Sequence, residues 1–306
     1  MDDAHDGVTL GALVRELLAC SWNQAREAIA RGKVSLDGKV VTDSALRLSR
    51  GQIVALARAA PRADRADTML ESSVVRYVDE QIVVVDKPSG LSTVPYDEGE
   101  RGTLVDRLQS WLHRKRGAGA NAPLFVVHRI DKDTSGLVVF GRTWLAKRHL
   151  AGLFRAHAIE RRYLAIVCGR PARDRFTVDS VLLEDRGDGL RGSARKVHPG
   201  VGKRAITHIE VLARLDRASL VCCQLETGRT HQIRIHLAES GHPLIGERVY
   251  GREIERPIER DRAMLHAREL GFTHPADVER VVRFTAEVPS DFKETLDALG
   301  GDSSMY

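Results

Sequence analysis

The sequence predicts an α+β protein: a large domain on a mixed, largely antiparallel sheet, preceded by a small unit of two helices and a hairpin. Three observations carry this. Many short β-rich segments and several helical ones follow one another along 306 residues with no βαβ rhythm. An Asp37-Gly38 pair between two β-prone segments is a strong short hairpin signal. A stretch rich in alanine and charge separates the two parts, and the chain is long enough for one large domain and one small.

The small unit is expected over residues 8–57. Leu10, Leu13, Val14, Leu17 and Leu18 recur at helical spacing and give one amphipathic helix. Ser21 and Gln24 make a capping box that opens a second helix, Asn23 to Arg31, which Gly32 closes. Val34-Ser35-Leu36-Asp37-Gly38-Lys39-Val40-Val41 then reads as the hairpin. Arg15, Gln24, Arg26, Arg31, Lys33 and Lys39 fall on its polar positions and form a small basic face. Residues 58–71 lack apolar periodicity and cannot offset their ordering entropy by burial, so they read as a linker. The large domain is expected over 72–299, and residues 300–306 as a disordered tail.

The longest apolar runs are strand-sized, which excludes a membrane-spanning helix. Met1-Asp2-Asp3-Ala4-His5-Asp6 is acidic without an apolar core, so no secretory signal is expected. Cys20, Cys168, Cys222 and Cys223 show no C-x-x-C spacing. Cys222 and Cys223 are adjacent in an apolar strand and face opposite ways, which argues against disulfides or structural zinc. A reduced, cytoplasmic protein is the expectation. The formal charge of +5 is a moderate excess, but it is concentrated. Arg142, Lys147, Arg148, Arg155, Arg161 and Arg162 are opposed only by Glu160, and Arg191, Arg195, Lys196, Lys203 and Arg204 form a second cluster. Such stripes attract polyanions, nucleic acid above all.

The most informative segment is His128-Arg129-Ile130-Asp131-Lys132-Asp133-Thr134-Ser135-Gly136. It is a short polar loop between two β-rich runs, Phe125-Val126-Val127 and Leu137-Val138-Val139-Phe140, a rigid frame of the kind that holds catalytic groups. Arg129 and Lys132 favour an ionised Asp131. Four other segments accompany it. Val83-Val84-Val85-Asp86-Lys87-Pro88-Ser89-Gly90 is a strand ending in a turn, and Arg161-Arg162-Tyr163-Leu164-Ala165-Ile166-Val167 places a tyrosine on a strand. Thr227-Gly228-Arg229-Thr230-His231-Gln232-Ile233-Arg234-Ile235-His236 leads into a helix closed by Gly241-His242-Pro243. Leu265-His266-Ala267 precedes Phe272-Thr273-His274-Pro275.

Taken in order, these segments resemble the RluA-like pseudouridine synthases, the ribosomal-large-subunit type with an N-terminal S4 domain. The resemblance rests on His128-Arg129-Ile130-Asp131 with Thr134-Ser135-Gly136, Tyr163, Gly228-Arg229-Thr230-His231-Gln232-Ile233-Arg234, Gly246, Tyr250-Gly251 and Leu265-His266-Ala267. The S4 pattern is met by Ser21, Ala25, Gly32-Lys33-Val34, Asp37-Gly38 and Gly51-Gln52-Ile53-Val54. Ile130 stands where leucine is usual, Arg162 precedes Tyr163 by one where the family has lysine by two, and Arg204 replaces a proline.

The resemblance implies isomerisation of specific uridines to pseudouridine in structured RNA, large-subunit ribosomal RNA before tRNA, without cofactor or metal. It assigns Asp131 as the carboxylate acting on ribose or base, Arg234 as its counter-charge, and Tyr163 as a stacking face and proton-transfer hydroxyl. Arg129, Leu265, Arg229, His231 and Gln232 would contact the substrate, with Leu265 an apolar wall, and Arg15, Arg26, Arg31 and Lys33 would bind RNA from the small domain. The target uridine would be flipped out of its helix. Two other readings stand beside this one: an idle RNA-binding or ribosome-assembly protein on the same scaffold, and a metal-assisted glycosyl-transfer enzyme using Asp131 and Asp133. Against metals, Lys132 separates the two aspartates, and His231 and His236 lie five apart on different helix faces. Gly187-Asp188-Gly189-Leu190-Arg191-Gly192 matches a dinucleotide fingerprint but runs into no helix, so it reads as a surface loop.

Overall fold

A computed structural model of the chain describes residues 6–30, 32–56, 70–96, 100–116, 123–194, 196, 198, 200–251 and 253–306. Arg31, Arg195 and most of the expected linker lie outside these. The described residues fall into two compact units. One lies within Met1–Asp67, Pro95–Arg101 and Leu182–Gly202; the other comprises Thr68–Val94, Gly102–Val181 and Lys203–Tyr306. The first unit therefore takes two stretches expected in the large domain.

The N-terminal part of the first unit contains α1 (Leu10–Leu18), α2 (Trp22–Ala30), β1 (Val34–Leu36), β2 (Lys39–Val40) and β3 (Val54–Leu56). Thr9 caps α1 by accepting from Ala12 N at 3.2 Å. Leu10, Leu13 and Val14 bury against Ala25, Ile29, Val34, Leu36 and Leu48, while Leu17 and Leu18, expected on the same face, are exposed. The Ser21–Gln24 box forms in both directions: Ser21 N donates to Gln24 Oε1 at 2.9 Å and Gln24 N to Ser21 Oγ at 3.3 Å. Asp37 and Gly38 both take positive φ, 50° and 79°, the geometry of a type I′ hairpin turn. β1 lies between β2 and β3 in a three-stranded sheet.

Along the rest of the chain follow β4 (Val75–Val78), β5 (Ile82–Lys87), α3 (Leu104–Arg116), β6 (Phe125–Val126), β7 (Ser135–Gly141), α4 (Trp144–Arg155) and β8 (Glu160–Cys168). Next come β9 (Arg175–Leu183), β10 (Gly192–Ser193), β11 (Lys203–Arg214), β12 (Ala218–Leu225) and α5 (Gln232–Glu239). Last are β13 (Leu265–His274), β14 (Asp277–Thr285) and α6 (Ser290–Ala298). The large sheet runs β10-β9-β11-β12-β8-β13-β7-β5-β4, with β14 beside β13 and β6 beside β7. It is mixed: β8 pairs antiparallel with β12 and β13, as β7 does with β5, whereas β7 and β13 are parallel.

Alternate residues of the central strands feed two different cores, so both sheet faces are covered and these strands read as continuous apolar runs. Val138 and Phe140 of β7 join one cluster with Tyr163, Ala165 and Val167 of β8, under Leu104, Leu108, Trp111 and Leu112 of α3. Leu137 and Val139 point the other way, to Ala146 and Leu150 of α4. Leu164, Ile166 and Cys168 of β8 pack under Phe292 and Leu296 of α6.

The parallel β7–β13 pairing positions the site, because it fixes Ser135 opposite His266 and Gly136 opposite Ala267. A Cβ on Gly136 would lie 2.3 Å from Ala267 O, and its φ of +110° is one that side chains avoid. Glycine is required there. Residues 300–306 are not the disordered tail expected from composition. Gly301 N donates to Leu296 O, a 3-10 turn spans Ser303–Met305, and Tyr306 packs against the α6 core.

Candidate active site

Asp131 sits on the loop between β6 and β7, and three side chains hold the loop's carbonyls. Thr93 Oγ1 donates to Ile130 O at 2.8 Å and accepts from Ile130 N. Lys87 Nζ, fully buried at the end of β5, donates to Lys132 O at 2.9 Å and to Pro88 O and Leu91 O. Arg262 Nη1 donates to Asp133 O at 3.1 Å and Leu265 O at 3.3 Å, while Asp291 grips the rest of its guanidinium. A loop tied at 130, 132 and 133 presents residue 131 in a fixed direction, which suits a catalytic group. None of the three ties was singled out from sequence. Lys87 stood in a recognised segment; Thr93 and Arg262 carry no local mark.

The Asp131 carboxylate opens into a cavity of 510 Å³. Tyr163, Leu265, Arg161, Phe154, Arg155, Arg129 and the turn 228–234 line it. Tyr163 is buried on β8, opposite Cys223 and Ala267 of the flanking strands. Burial raises its phenol pKa, Asp131 adds to that, and Arg161 opposes it. Leu265 is 3 % exposed and forms an apolar wall.

Arg234 reaches Asp131, but less closely than its expected role requires. Its Nη1 stands 3.8 Å from Asp131 Oδ2, whereas Nε and Nη2 bind Glu247 Oε2 and Oε1 at 2.7 and 2.8 Å. The tight carboxylate–guanidinium pair is thus Arg234–Glu247, a residue that sequence reasoning missed. Glu247 also accepts from Val249 N and Tyr250 N and is buried. Burial of Glu247 favours its protonated form, but Arg234 overrides that and lowers its pKa. Burial likewise pulls Asp131 upward. His231, Arg234, Arg129 and Lys87 outweigh it, and the carboxyl ends below its ordinary value. His231 is the largest of these lowering influences, its Nε2 3.9 Å from Asp131 Oδ2 and its Nδ1 2.8 Å from the Tyr250 hydroxyl. It adopts a left-handed φ of 57° as N-cap of α5, off the helix that carries His236.

Other expected site residues divide. Arg129 is exposed at the rim, and Arg229 is exposed with its Nε on Arg204 O at 3.0 Å. Gln232 is nearly fully buried, and its amide is spent on the protein: Oε1 accepts from Thr227 Oγ1 and Arg229 N, and Nε2 donates to Ile206 O and Thr207 Oγ1. It holds the 228–231 turn rather than offering a free polar atom. The arginine sharing Tyr163's strand face is Arg161, two residues before it. It is buried, donates to Glu226 O at 2.8 Å, and is accommodated because residue 228 is glycine, where a Cβ would lie 2.6 Å from its Nη1. Arg162 points the other way to Glu160 and Glu269. His128 accepts from Val139 N at 3.0 Å, and burial drives its pKa down to about 3, so it is a neutral brace for β7. In the small unit, Arg15 stacks on Trp22 at 4.8 Å, Arg26 bonds Asn23, and Lys33 is half-buried.

The arrangement provides an ionised carboxylate on a fixed loop, a buried phenol beside it and a ring of cations around the mouth. It suits an anionic substrate presenting a flat group of nucleobase size. Among the described residues no three His, Cys, Asp or Glu side chains converge as metal ligands, and no helix is long and apolar enough to cross a membrane.

Comparison with known proteins places the chain in a family. Residues 81–239 match the family model for RNA pseudouridylate synthase, and residues 12–54 match the S4 domain. The ribosomal large subunit pseudouridine synthase D of Zymomonas mobilis is 37 % identical over 92 % of this chain and 90 % of its own. An uncharacterised RNA pseudouridine synthase of Bacillus subtilis is 34 % identical over 91 % of this chain and 89 % of its own. Among solved structures, human RNA pseudouridylate synthase domain containing 4 superposes with a TM-score of 0.60 at 25 % identity, over 75 % of this chain and 94 % of that one. With an S4 module over residues 12–54, the synthase model over residues 81–239 and a 37 % identical relative spanning 92 % of its length, the chain belongs to the RNA pseudouridylate synthase family and is an isomerase.

Proposed function

We propose that this protein converts specific uridines of large-subunit ribosomal RNA to pseudouridine, with the Asp131 carboxylate acting on the target nucleotide. The observation that carries the reading is the placement of Asp131. It is ionised and tied at three neighbouring carbonyls, and it opens into a cavity walled by Tyr163 and Leu265.

The reaction breaks the bond between uracil N1 and ribose C1′, turns the base, and forms a bond from C5 to C1′. The C5 proton leaves and N1 gains one, so atoms and electrons balance within the nucleotide and water. In this reading Asp131 attacks the ribose or removes a ribose proton. Arg234, steadied by Glu247, and His231 keep it charged against burial. Tyr163 stacks on the uracil, a contact worth about 1–3 kcal/mol, and its hydroxyl moves the proton at the base. Leu265 closes the apolar side, and Arg129 and Arg229 meet flanking phosphates. Stacked in a helix, the uridine cannot reach this recess, so it enters flipped.

The large-subunit assignment is supported by the likeness to the ribosomal large subunit pseudouridine synthase D of Zymomonas mobilis and by the S4 module, which favours a large folded RNA. Such a substrate places the protein in the cytoplasm. Replacing the gene with an Asp131→Ala version and mapping pseudouridine in ribosomal and transfer RNA tests the proposal. Loss of one or more large-subunit sites is expected; an unchanged map refutes it.

A further inference from the structure

The reaction leaves one surface of α4 unexplained. Trp144, Arg148, Ala151 and Arg155 succeed one another at four, three and four residues, so they share a helix face. The opposite face is committed to the fold: Ala146 and Leu150 are buried, and His149 bonds Thr273. Trp144 is 59 % exposed. Its ring is nonetheless held, with Phe125 edge-on at 5.9 Å and Lys147 Nζ 4.5 Å from the centroid. Holding an exposed indole this way removes the rotamer entropy a stacking partner would otherwise have to offset.

The cations on this face are available. Several arginines elsewhere are paired with carboxylates: Arg162 with Glu160, Arg175 with Glu210, Arg204 with Asp179, Arg214 with Asp174. Arg148 and Arg155 are exposed and make no ion pair among the described residues. Between them Ala151 and Gly152 form a low trough, and a Cβ on Gly152 would touch nothing within 4 Å. At its far end the face opens into the cavity, because Phe154 and Arg155 line it. Helical rise places residues 144 and 155 about 16 Å apart, a span of roughly five stacked nucleotides.

We propose that this face of α4 is a track for single-stranded RNA: Trp144 stacks an unpaired base of the substrate several nucleotides from the target, and Arg148 and Arg155 hold the phosphates between. An aromatic platform followed by unpaired cations, continuous with a nucleotide-sized recess, is the combination single-strand binding uses. The identity of the strand as substrate rests on the isomerase reading above; the track itself rests on α4.

The test uses full-length protein and two probes, a 20-nucleotide oligouridylate for binding and an unmodified large-subunit ribosomal RNA transcript for turnover. Trp144→Ala is expected to weaken oligouridylate binding about five- to tenfold, with Trp144→Phe restoring most of it. Arg148→Gln is expected to lower the slope of log affinity against log salt by about one phosphate's worth, roughly 0.7. Saturated single-turnover rates on the transcript stay at the wild-type value. Unchanged oligouridylate affinity in Trp144→Ala, or an unchanged salt slope in Arg148→Gln, overturns the track. Failure of wild-type protein to modify the transcript would instead count against the proposed function, since the binding measurement does not depend on it.

Discussion

Glu247→Gln separates two accounts of how the Asp131 site keeps its charge. If Arg234 served Asp131 alone, the substitution would matter little. Instead Glu247 takes two charge-assisted hydrogen bonds from Arg234, at 2.7 and 2.8 Å, in a site where its side chain has no solvent exposure. A glutamine keeps the bond from Val249 N to Oε1 but turns an N–H toward Arg234 Nε, and it leaves a buried guanidinium whose nearest anion is 3.8 Å away. Breaking such a pair from one side costs about 3–5 kcal/mol. Arg234 is also expected to slide toward Asp131, and a displacement near 1 Å at a reacting group costs on the order of a hundredfold in rate.

The acid dependence has a defined sign. Arg234 depresses the folded-state pKa of Glu247 below the ordinary 4.5 against the opposing effect of burial. Its contribution is therefore complete above that value and lost as pH falls beneath it. Urea unfolding of wild type and Glu247→Gln should differ by several kcal/mol at pH 7, and the gap should narrow between pH 5 and pH 3. Single-turnover isomerisation at saturating RNA should fall in parallel. A variant within about 1 kcal/mol of wild type at pH 7, below the cost of an uncompensated buried charge, refutes the reasoning.

Two further substitutions probe the frame. Lys87→Met removes an ammonium that burial pushes from 10.5 down to about 7, against Asp133 and Asp131. The folded pKa lies below the unfolded one, so the buried charge costs stability below pH 7 and that cost is relieved as pH rises toward 10.5. The stability difference should thus move in favour of wild type by more than about 1 kcal/mol between pH 6.5 and 9.5, read from urea midpoints; a pH-independent difference would refute this. Gly136→Ala places a Cβ 2.3 Å from Ala267 O and 2.7 Å from Ala267 N in a left-handed backbone. It should cost about 3 kcal/mol or more in thermal melts, and a melt matching wild type would mean that β7 and β13 can part freely.

What could be read from sequence tracks what is local. Buried strands are legible because β5, β7 and β8 are covered on both faces and so show as unbroken apolar runs. The hairpin turn and the Ser21–Gln24 cap are legible because backbone sign and reciprocal hydrogen bonding act over two to four residues. Asp131 is legible because its loop leads straight into one such run, β7, while the apolar stretch before it, β6, is only partly buried. Strand period carries the same kind of signal: residues two apart share a face, so Arg161 rather than Arg162 accompanies Tyr163. What stayed hidden are pairings across long separations. Glu247 lies 13 residues beyond Arg234 in a loop marked only by Gly246 and Tyr250-Gly251, and Asp291 reaches Arg262 from 29 residues away. The basic clusters misled for the same reason. A stretch of arginines has one charge density in the sequence and another once Arg162 and Arg204 find carboxylates and Arg142 and Arg161 are buried. Arg148 and Arg155, beside an exposed Trp144, are among the cations that keep their charge unpaired at the surface, a narrower positive face than composition suggests. It lies on α4, whose C-terminal end opens into the recess beside Asp131, where a polyanion must be led if the nucleotide it carries is to meet that carboxylate.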